Sequence, residues 1–247
     1  MSTETKRARS NNVSTAAVNA TPAIKVYQLK ITLRHITPQI FRRVQVTSDT
    51  TIAQLHAILQ TVMGWEDLHL RQFRIHGKTY GIYRAGGMSF ADDPHQVTLR
   101  DFKLRKGEKF VYEYDMGDFW QHDIRLEQIV PIEPRKKYPD CIEGDGDCPS
   151  EDCGGPGGFM ELQEERSSWW ALSEYRSDIL LVANRLLQVY DGGPQPTYEE
   201  EEFIEALDRM ERRLDDAPIE FNRREVNVAL QKIGRTKKET KCTSESR

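Results

Sequence analysis

The chain has 247 residues, of which 38% are hydrophobic and 30% are charged, and its formal net charge at pH 7 is -4. This acidic balance argues against a protein whose main task is to coat nucleic acid, because such affinity comes mostly from lysine and arginine. No apolar run approaches the roughly 18 to 20 residues needed to cross a bilayer, and the N-terminus lacks a signal-peptide core, so we expect a cytoplasmic protein with no membrane partner and with reduced thiols.

Both ends of the chain are predicted to be disordered. Residues 1–22 and 235–247 are rich in polar side chains and show no apolar periodicity, so they cannot bury enough surface to fold. Lys6, Arg7 and Arg9 give the first tail a basic character that can touch nucleic acid, although solvated tails of this kind are common.

Residues 23–133 are predicted to form an α+β sheet domain. Apolar and polar residues alternate there with the period of half-buried strands. The predicted strands are 27–33, 40–46, 68–75, 79–83, 110–114 and 120–126. Before the third strand, Thr51 and Gln54 form a capping box for an amphipathic helix that Gly64 ends. This order predicts a mixed or antiparallel sheet packed on one main helix, similar to a β-grasp core.

Residues 134–158 are predicted to form a loop rich in cysteine, glycine and acidic side chains. Its cysteines are Cys141, Cys148 and Cys153, in the spacing C-x6-C-x4-C. Three thiolates can bind zinc, with His122 or His76 as a fourth ligand. Structural zinc sites usually use C-x2-C pairs, so reduced thiols without a metal are the alternative. Cys242 lies in the second predicted tail and is assigned no role.

The turn between the last two predicted strands is the most enzyme-like part of the sequence. Asp115, Asp118 and His122, together with Glu151 or Asp152, can converge as metal ligands or as an acid and base pair. The alternative is structural, because a tight hairpin turn favours Asp and Gly and because His122 shares a strand face with apolar residues. No nucleophile with a nearby base is visible in the sequence.

Residues 159–234 are predicted to be helical and to cap the sheet. Apolar residues recur every three to four positions along a first long helix that ends near Gly192. This stripe consists of Leu172, Tyr175, Ile179, Ala183, Leu186 and Tyr190. Thr197 begins a second helix, and Asn222 begins a third. Because these helices need an apolar surface to cover, the sheet is the nearest candidate.

Four segments carry a family resemblance. They are LHAILQTVMGWEDLHLRQFRI at 55–75, YEYDMGDFWQHDIRLE at 112–127, YPDCIEGDGDCPSEDCGGPGGF at 138–159 and EFNRREVNVAL at 220–230. In this order they resemble the plasmid ORF-three-like family, also labelled the insertion-element passenger TnpR family, over roughly residues 25 to 233. The resemblance implies an α+β domain and an association with plasmids and mobile elements, without a settled biochemical function.

Two details limit what the resemblance implies. The label TnpR implies a resolvase, and a serine recombinase needs a nucleophilic serine on an early strand among several arginines. The only early candidate here is Ser48, which lies where a helix is about to start, so the sequence does not support that activity. Family members usually have two prolines at the place of Pro149-Ser150 and often another residue at Cys153, which argues against Cys153 as an obligatory ligand.

Three functions are compatible with these observations. The first is a cytoplasmic binding module, in which the cysteine-rich loop and the Asp115 to His122 turn form one surface for a protein partner or a short nucleic-acid contact. The second is a metal-dependent hydrolase or nuclease that uses Asp115, Asp118, His122 and Glu151. The third is a structural zinc site. Its ligands would be Cys141, Cys148, Cys153 and His122.

Overall fold

Seven strands and five α-helices are present in residues 23–81, 92–215 and 217–244, the part of the chain that the computed structural model describes. The strands are β1 (Lys25–Leu33), β2 (Phe41–Thr47), β3 (Arg71–Ile75), β4 (Lys78–Gly81), β5 (Lys109–Tyr114), β6 (Trp120–Pro131) and β7 (Asp140–Asp145). The helices are α1 (Ile52–Met63), α2 (Gly155–Ser167), α3 (Trp169–Tyr190), α4 (Glu201–Asp215) and α5 (Arg223–Ser244). A short 3-10 helix, Leu99–Phe102, precedes β5.

Some predicted segments extend beyond the described residues. The first predicted tail, 1–22, lies outside them, and so do residues 82 and 83 of the fourth predicted strand. Of the second predicted tail, residues 245–247 lie outside, whereas α5 continues to Ser244 and therefore includes most of that segment.

The strands form one antiparallel sheet in the order β4-β3-β5-β6-β1-β2-β7. Every named strand pair is antiparallel, and β1 lies between β6 and β2. The predicted α+β class is confirmed. The finer comparison with a β-grasp core on one main helix is not, because no pair in the described sheet is parallel and four helices are present besides α1.

One face of the sheet holds the hydrophobic core with α1. Leu29, Ile31 and Leu33 alternate along β1 towards this face and are at most 2% exposed. The helix begins and ends where its local signals predict. The Thr51 hydroxyl accepts from the backbone N–H of Gln54, whose side chain accepts from the backbone N–H of Thr51. Gly64, at φ 84°, ends the helix in the left-handed conformation.

The opposite face of the sheet carries paired charges. Arg34 and Lys109 both bind the carboxylate of Asp123, and Arg43 binds Glu127 at 2.6 Å. The Arg43 guanidinium holds the pKa of Glu127 below its usual range through this hydrogen bond. An antiparallel sheet with one solvated face shows this alternation of apolar and charged side chains. The charges on this face largely neutralise each other.

Strand β7 lies inside the segment that the sequence predicts as a loop. It pairs with β2 at the edge of the sheet, where Val44 is opposite Cys141 and Arg43 is opposite Glu143. Cys141 is the only buried residue of the six in β7. An edge strand with one buried side chain has no apolar alternation, and for this reason the sequence pattern indicates a loop.

The C-terminal helices divide into two groups. Helix α5 packs on α1 and β7, with Leu230 fully buried in the main core. Helices α3 and α4 pack on each other around a separate small cluster of Val182, Phe203 and Ala206. Two ion pairs fasten this hairpin, from Arg209 to Asp178 and from Arg185 to Glu200. None of the helices in the described residues is long and apolar enough to cross a membrane.

The apolar stripe predicted for α3 does not cover the sheet. Leu172, Ile179 and Leu186 are 50%, 41% and 54% exposed. Helix α4 instead packs against the side of α3 that holds Ala171, Asp178 and Val182. The apolar periodicity thus correctly predicts a helix, but α4 packs on a face next to the apolar stripe and leaves the stripe exposed.

Candidate functional site

Three segments meet at one end of the sheet, and we call them the site loops: residues 65–70, 115–119 and 149–155. The Tyr114 hydroxyl lies where two of them join. It accepts from the backbone N–H groups of Leu68 at 3.0 Å and His69 at 3.4 Å, and it donates to the Glu151 carboxylate. Burial raises the pKa of Tyr114 well above its usual range, so the phenol keeps its proton.

Further bonds attach the third site loop to the other two. The indole N–H of Trp65 donates to the carbonyl of Pro149 at 2.9 Å, and its ring stacks on Tyr114 with centroids 5.0 Å apart. The backbone N–H of Glu66 donates to Glu151 at 2.9 Å. The Asp118 carboxylate accepts from the backbone N–H of Gly154 at 3.1 Å. The site loops therefore form one connected surface.

The backbone of these loops adopts unusual conformations. Asp67, Asp115, Phe119 and Asp152 have φ values of 61°, 56°, 58° and 61°, in the left-handed region. Each such non-glycine residue costs of order 1 kcal/mol or more and persists only where its surroundings hold it. The concentration of four of them at the site loops marks this end of the sheet as the candidate functional site.

His69, Asp115 and Asp152 form the chemical centre of the site loops. Among the described residues they are the one group of His, Cys, Asp or Glu side chains that can offer three ligand atoms within 4.8 Å of one another. Nε2 of His69 lies 3.1 Å from Asp152 Oδ1, and Nδ1 lies 3.8 Å from Asp115 Oδ1. Asp115 is buried and accepts from the backbone N–H of Gly117 at 2.8 Å.

Two of the residues named from the sequence belong to this centre: Asp115 and Asp152, the latter as the alternative to Glu151. Asp118 instead accepts from the backbone N–H of Gly154, and Glu151 accepts from the Tyr114 hydroxyl. His122 lies in the core between Trp65 and Tyr112, with ring centroids 5.4 and 5.3 Å away. The four predicted residues therefore do not form a common centre. Sequence reasoning missed His69, whose only signal is its position in the family motif at 55–75.

The cysteines do not form a metal centre among the described residues. Cys141 is 1% exposed on β7, and burial raises the pKa of its thiol to about 11. Cys148 is fully buried with its sulfur 3.5 Å from Met63 Sδ, and burial raises its pKa well above the usual range. Cys153 is half-buried in the third site loop. The extended strand β7 carries the chain away from Cys141, so the described structure assembles no ligand group from these three residues and His122.

Two other residues from the sequence analysis have structural surroundings. His76 pairs with Glu108 and packs edge-on against Phe102. Ser48 is 4% exposed, and its hydroxyl accepts from the backbone N–H of Lys25 at 3.1 Å. A buried serine that bonds to a strand backbone is not placed to attack a substrate.

We expect the burial of His122 to make the stability of the protein depend on pH. The ring is fully buried, and neither ring nitrogen makes a hydrogen bond of good geometry among the described residues, although the backbone of Tyr112 and Trp120 lies nearby. Burial lowers the pKa of His122 from 6.5 to about 3. Between these two values the unfolded chain binds a proton that the folded chain does not. The free energy of unfolding should therefore fall as the pH drops from about 6.5 towards about 3.

Substitution of His122 tests this dependence. In His122→Leu the free energy of unfolding should decrease less steeply between about pH 7 and pH 4 than in the wild type, because the buried proton acceptor is gone. Chemical denaturation at several pH values measures the slope. His95→Leu, at an exposed histidine, is the control and should keep the wild-type slope. Equal slopes in all three proteins would contradict a neutral buried His122.

A second candidate surface lies on α3, and we call it the free face of α3. It consists of exposed residues: Trp169, Leu172, Ile179, Leu180, Ala183, Leu186, Leu187 and Tyr190. Trp169 and Tyr190, at its two ends, are 84% and 86% exposed. Exposed apolar residues are ordinary when scattered singly, but a continuous set along one helix is typical of an interaction site.

Comparison with known proteins places the sheet in a family. The family model described as plasmid pRiA4b ORF-3-like protein matches residues 25–169. The uncharacterised protein y4hQ of Sinorhizobium fredii is 35% identical over 164 residues, which are 62% of this chain and 84% of that protein. The crystal structure of MM3350, a protein of unknown function from Methanosarcina mazei Go1, shares 35% identity and a TM-score of 0.52, over 60% of this chain and 84% of that one. The matched family region contains the sheet and the site loops, and it ends at the first residue of α3.

Proposed function

The chain belongs to the plasmid pRiA4b ORF-3-like family, and from that premise we propose that it is a non-catalytic protein-interaction module that binds a partner helix on the free face of α3. The main observation that supports this proposal is the exposure of the apolar side chains on this face. The proposal keeps the binding role that the sequence indicates and moves its main contact surface from the site loops to α3.

The spacing of exposed residues on α3 is that of a helix-pairing seam. Positions 172, 176, 179, 183, 186 and 190 are all exposed and are separated by alternating steps of four and three. This repeat keeps one line of side chains facing a second helix, and Leu or Ile occupies every second position of it. The 22 residues of α3 span about 33 Å, which is long enough for three heptads.

Two charged residues of α3 are paired with residues outside the free face of α3, which favours an apolar partner surface. Asp178 binds Arg209, and Arg185 binds Glu200, on the side of α3 that faces α4. On the solvated face of the sheet, Arg34, Arg43 and Arg74 are paired with carboxylates as well. These pairings and the net charge of -4 give little attraction for phosphates, so a protein partner is favoured over nucleic acid.

The position at which the family match ends supports a partner that is specific to this chain. The matched region ends at Trp169, whereas the free face of α3 continues to Tyr190. A surface outside the matched region can differ between relatives without affecting the sheet. The proposed partner therefore need not be shared by the whole family.

Photo-crosslinking in cells that encode the protein tests this function. A benzoylphenylalanine placed at Ile179, on the free face of α3, should form an adduct with a single partner. The same group at Asn184 is exposed on the polar side of the same helix and should form no such adduct. An adduct between two copies would identify the partner helix as α3 of a second molecule.

Charge substitutions provide the second half of the test. The double variant Ile179→Asp with Leu186→Asp should lose the adduct formed through a crosslinker at Leu172, whereas Asn184→Asp should retain it. Circular dichroism should report the same helix content in both proteins, since all three positions are exposed. Equal crosslinking from Ile179 and Asn184, or none from either, would overturn the proposed surface.

A further inference from the structure

We propose that His69, Asp115 and Asp152 bind a divalent transition-metal cation, with at least one coordination position left open. The three residues come from the three site loops. Their potential ligand atoms lie within 4.8 Å of one another. This site is separate from the free face of α3, so the inference does not depend on the proposed function.

The burial of its ligands distinguishes this group from an ordinary set of surface carboxylates. Asp115 has a side chain only 8% exposed, and that of His69 is 26% exposed. Asp152 is the accessible member, with 67% of its side chain exposed. A buried carboxylate is costly unless a positive charge or a set of donors compensates it. The Asp115 carboxylate accepts one hydrogen bond from the backbone N–H of Gly117.

A second observation concerns the His69 ring. Its Nε2 is buried and makes no hydrogen bond among the described residues, although Asp152 Oδ1 is 3.1 Å away. The two atoms are close but are not aligned for a hydrogen bond. Their separation is instead similar to that of two neighbouring ligands of one metal ion. Bonds of about 2.0 to 2.1 Å in tetrahedral geometry separate two ligand atoms by about 3.3 Å.

The donor set indicates the class of cation. Magnesium and calcium prefer oxygen donors alone, whereas an imidazole nitrogen with two carboxylates suits zinc or manganese. Among the described residues, no cysteine sulfur belongs to this group of ligand atoms. A doubly charged cation would also balance the two carboxylates. Three protein ligands leave room for water or for a ligand group from a partner molecule.

The cation would fasten the third site loop to the sheet. Asp115 directly follows β5, and His69 lies just before β3, whereas Asp152 belongs to the loop that precedes α2. Binding would therefore join the family motif at 138–159 to the two motifs that hold His69 and Asp115. This gives the glycine-rich loop a defined position although its composition is polar.

Calorimetry with zinc tests the site. The protein is freed of metal with a chelator and titrated with zinc chloride, and one equivalent should bind. His69→Ala and Asp152→Asn should each weaken zinc binding by at least about tenfold. His95→Ala, at an exposed histidine, should bind zinc like the wild type. Asp152→Asn changes an exposed side chain, so its circular dichroism and unfolding midpoint should match the wild type.

Cobalt provides a readout of the ligand atoms. The cobalt-loaded protein should show visible absorption bands without a thiolate-to-cobalt charge-transfer band in the near ultraviolet, because nitrogen and oxygen ligate the ion. A charge-transfer band would assign the metal to the cysteines and overturn the inference. Absence of zinc binding, or binding that is unchanged in Asp152→Asn, would overturn it as well. None of these outcomes involves α3, so they leave the proposed interaction surface to its own test.

Discussion

Replacing Arg42 with methionine should lower the free energy of unfolding by about 3 to 5 kcal/mol. The side chain is fully enclosed at 1% exposure. Its Nε donates to the carbonyl of Val62 at 2.9 Å, and its Nη1 donates to the carbonyls of Phe41 and Asp145, each at 2.9 Å. The guanidinium also lies 3.8 Å from the ring centroid of Phe221. One residue thus joins β2, α1, β7 and the segment before α5.

Whether Arg42→Met destabilises the protein depends on the polar groups that remain buried after the guanidinium is removed. Replacement of a whole buried ion pair by apolar residues is often neutral, because both charges leave together. Arg42 instead donates to three backbone carbonyls, which stay in place and lose their donor. Each buried acceptor without a partner costs about 1 to 3 kcal/mol. Burial lowers the pKa of Arg42, which indicates how strongly the site disfavours an uncompensated charge.

The adjacent arginine is a matched control. Arg43 lies on the opposite face of the same strand, with 21% of its side chain exposed, and pairs with Glu127 and Glu143. Arg43→Met should change the free energy of unfolding by no more than about 1 kcal/mol, because partly exposed ion pairs contribute little. Guanidinium denaturation followed by circular dichroism compares the two variants. Similar losses in both would show that Arg42 does not hold the sheet and helices together.

Replacing Gly155 with alanine should destabilise the protein by about 2 to 4 kcal/mol or release the third site loop. Gly155 has φ +70°, and a Cβ at this position would lie 2.4 Å from the carbonyl oxygen of Asp118. The obstacle is backbone rather than a flexible side chain, so it cannot move away without distorting the turn between β5 and β6. The bond from Gly154 to Asp118 should be lost with it.

Gly157 provides the comparison within the same helix. A Cβ at Gly157 would have nothing within 4 Å, and the residue is not among those with positive φ. Gly157→Ala should therefore be neutral or stabilising by up to about 1 kcal/mol, since alanine favours a helix. Thermal unfolding and limited proteolysis of the 149–155 segment measure both effects. Equal stability of the two variants would mean that the site loops do not need the close approach at Gly155.

The two proposals concern different parts of the molecule, one inside the region matched by the family model and one outside it. The site loops lie within the region matched by the family model, so the metal site is a property to look for in other members. The free face of α3 begins where that match ends. Metal binding without partner binding, or the reverse, would therefore separate the two proposals.

Local signals in the sequence determined the elements that depend on neighbouring residues. Helix α1 has its capping box at Thr51 and its left-handed stop at Gly64, as predicted, because both are made by residues a few positions apart. Strands β1 and β5 follow the alternation of apolar and polar residues. The α+β class follows from these elements, and the first three of the four motifs indicate the family that the comparison confirms over residues 25–169.

Only the tertiary structure decided which residues share a site. His69 and Asp152 join Asp115 because β3, β5 and the loop before α2 meet in space, although they are far apart in the chain. His122 also has aspartates nearby in the sequence, at positions 115 and 118, but the pleat of β6 turns its side chain into the core. Periodicity likewise predicted the apolar stripe of α3 but not its exposure, because the position of α4 decides which face of α3 is covered. The sequence by itself thus determines period and local turns, whereas long-range packing decides which side chains meet and which remain free to bind.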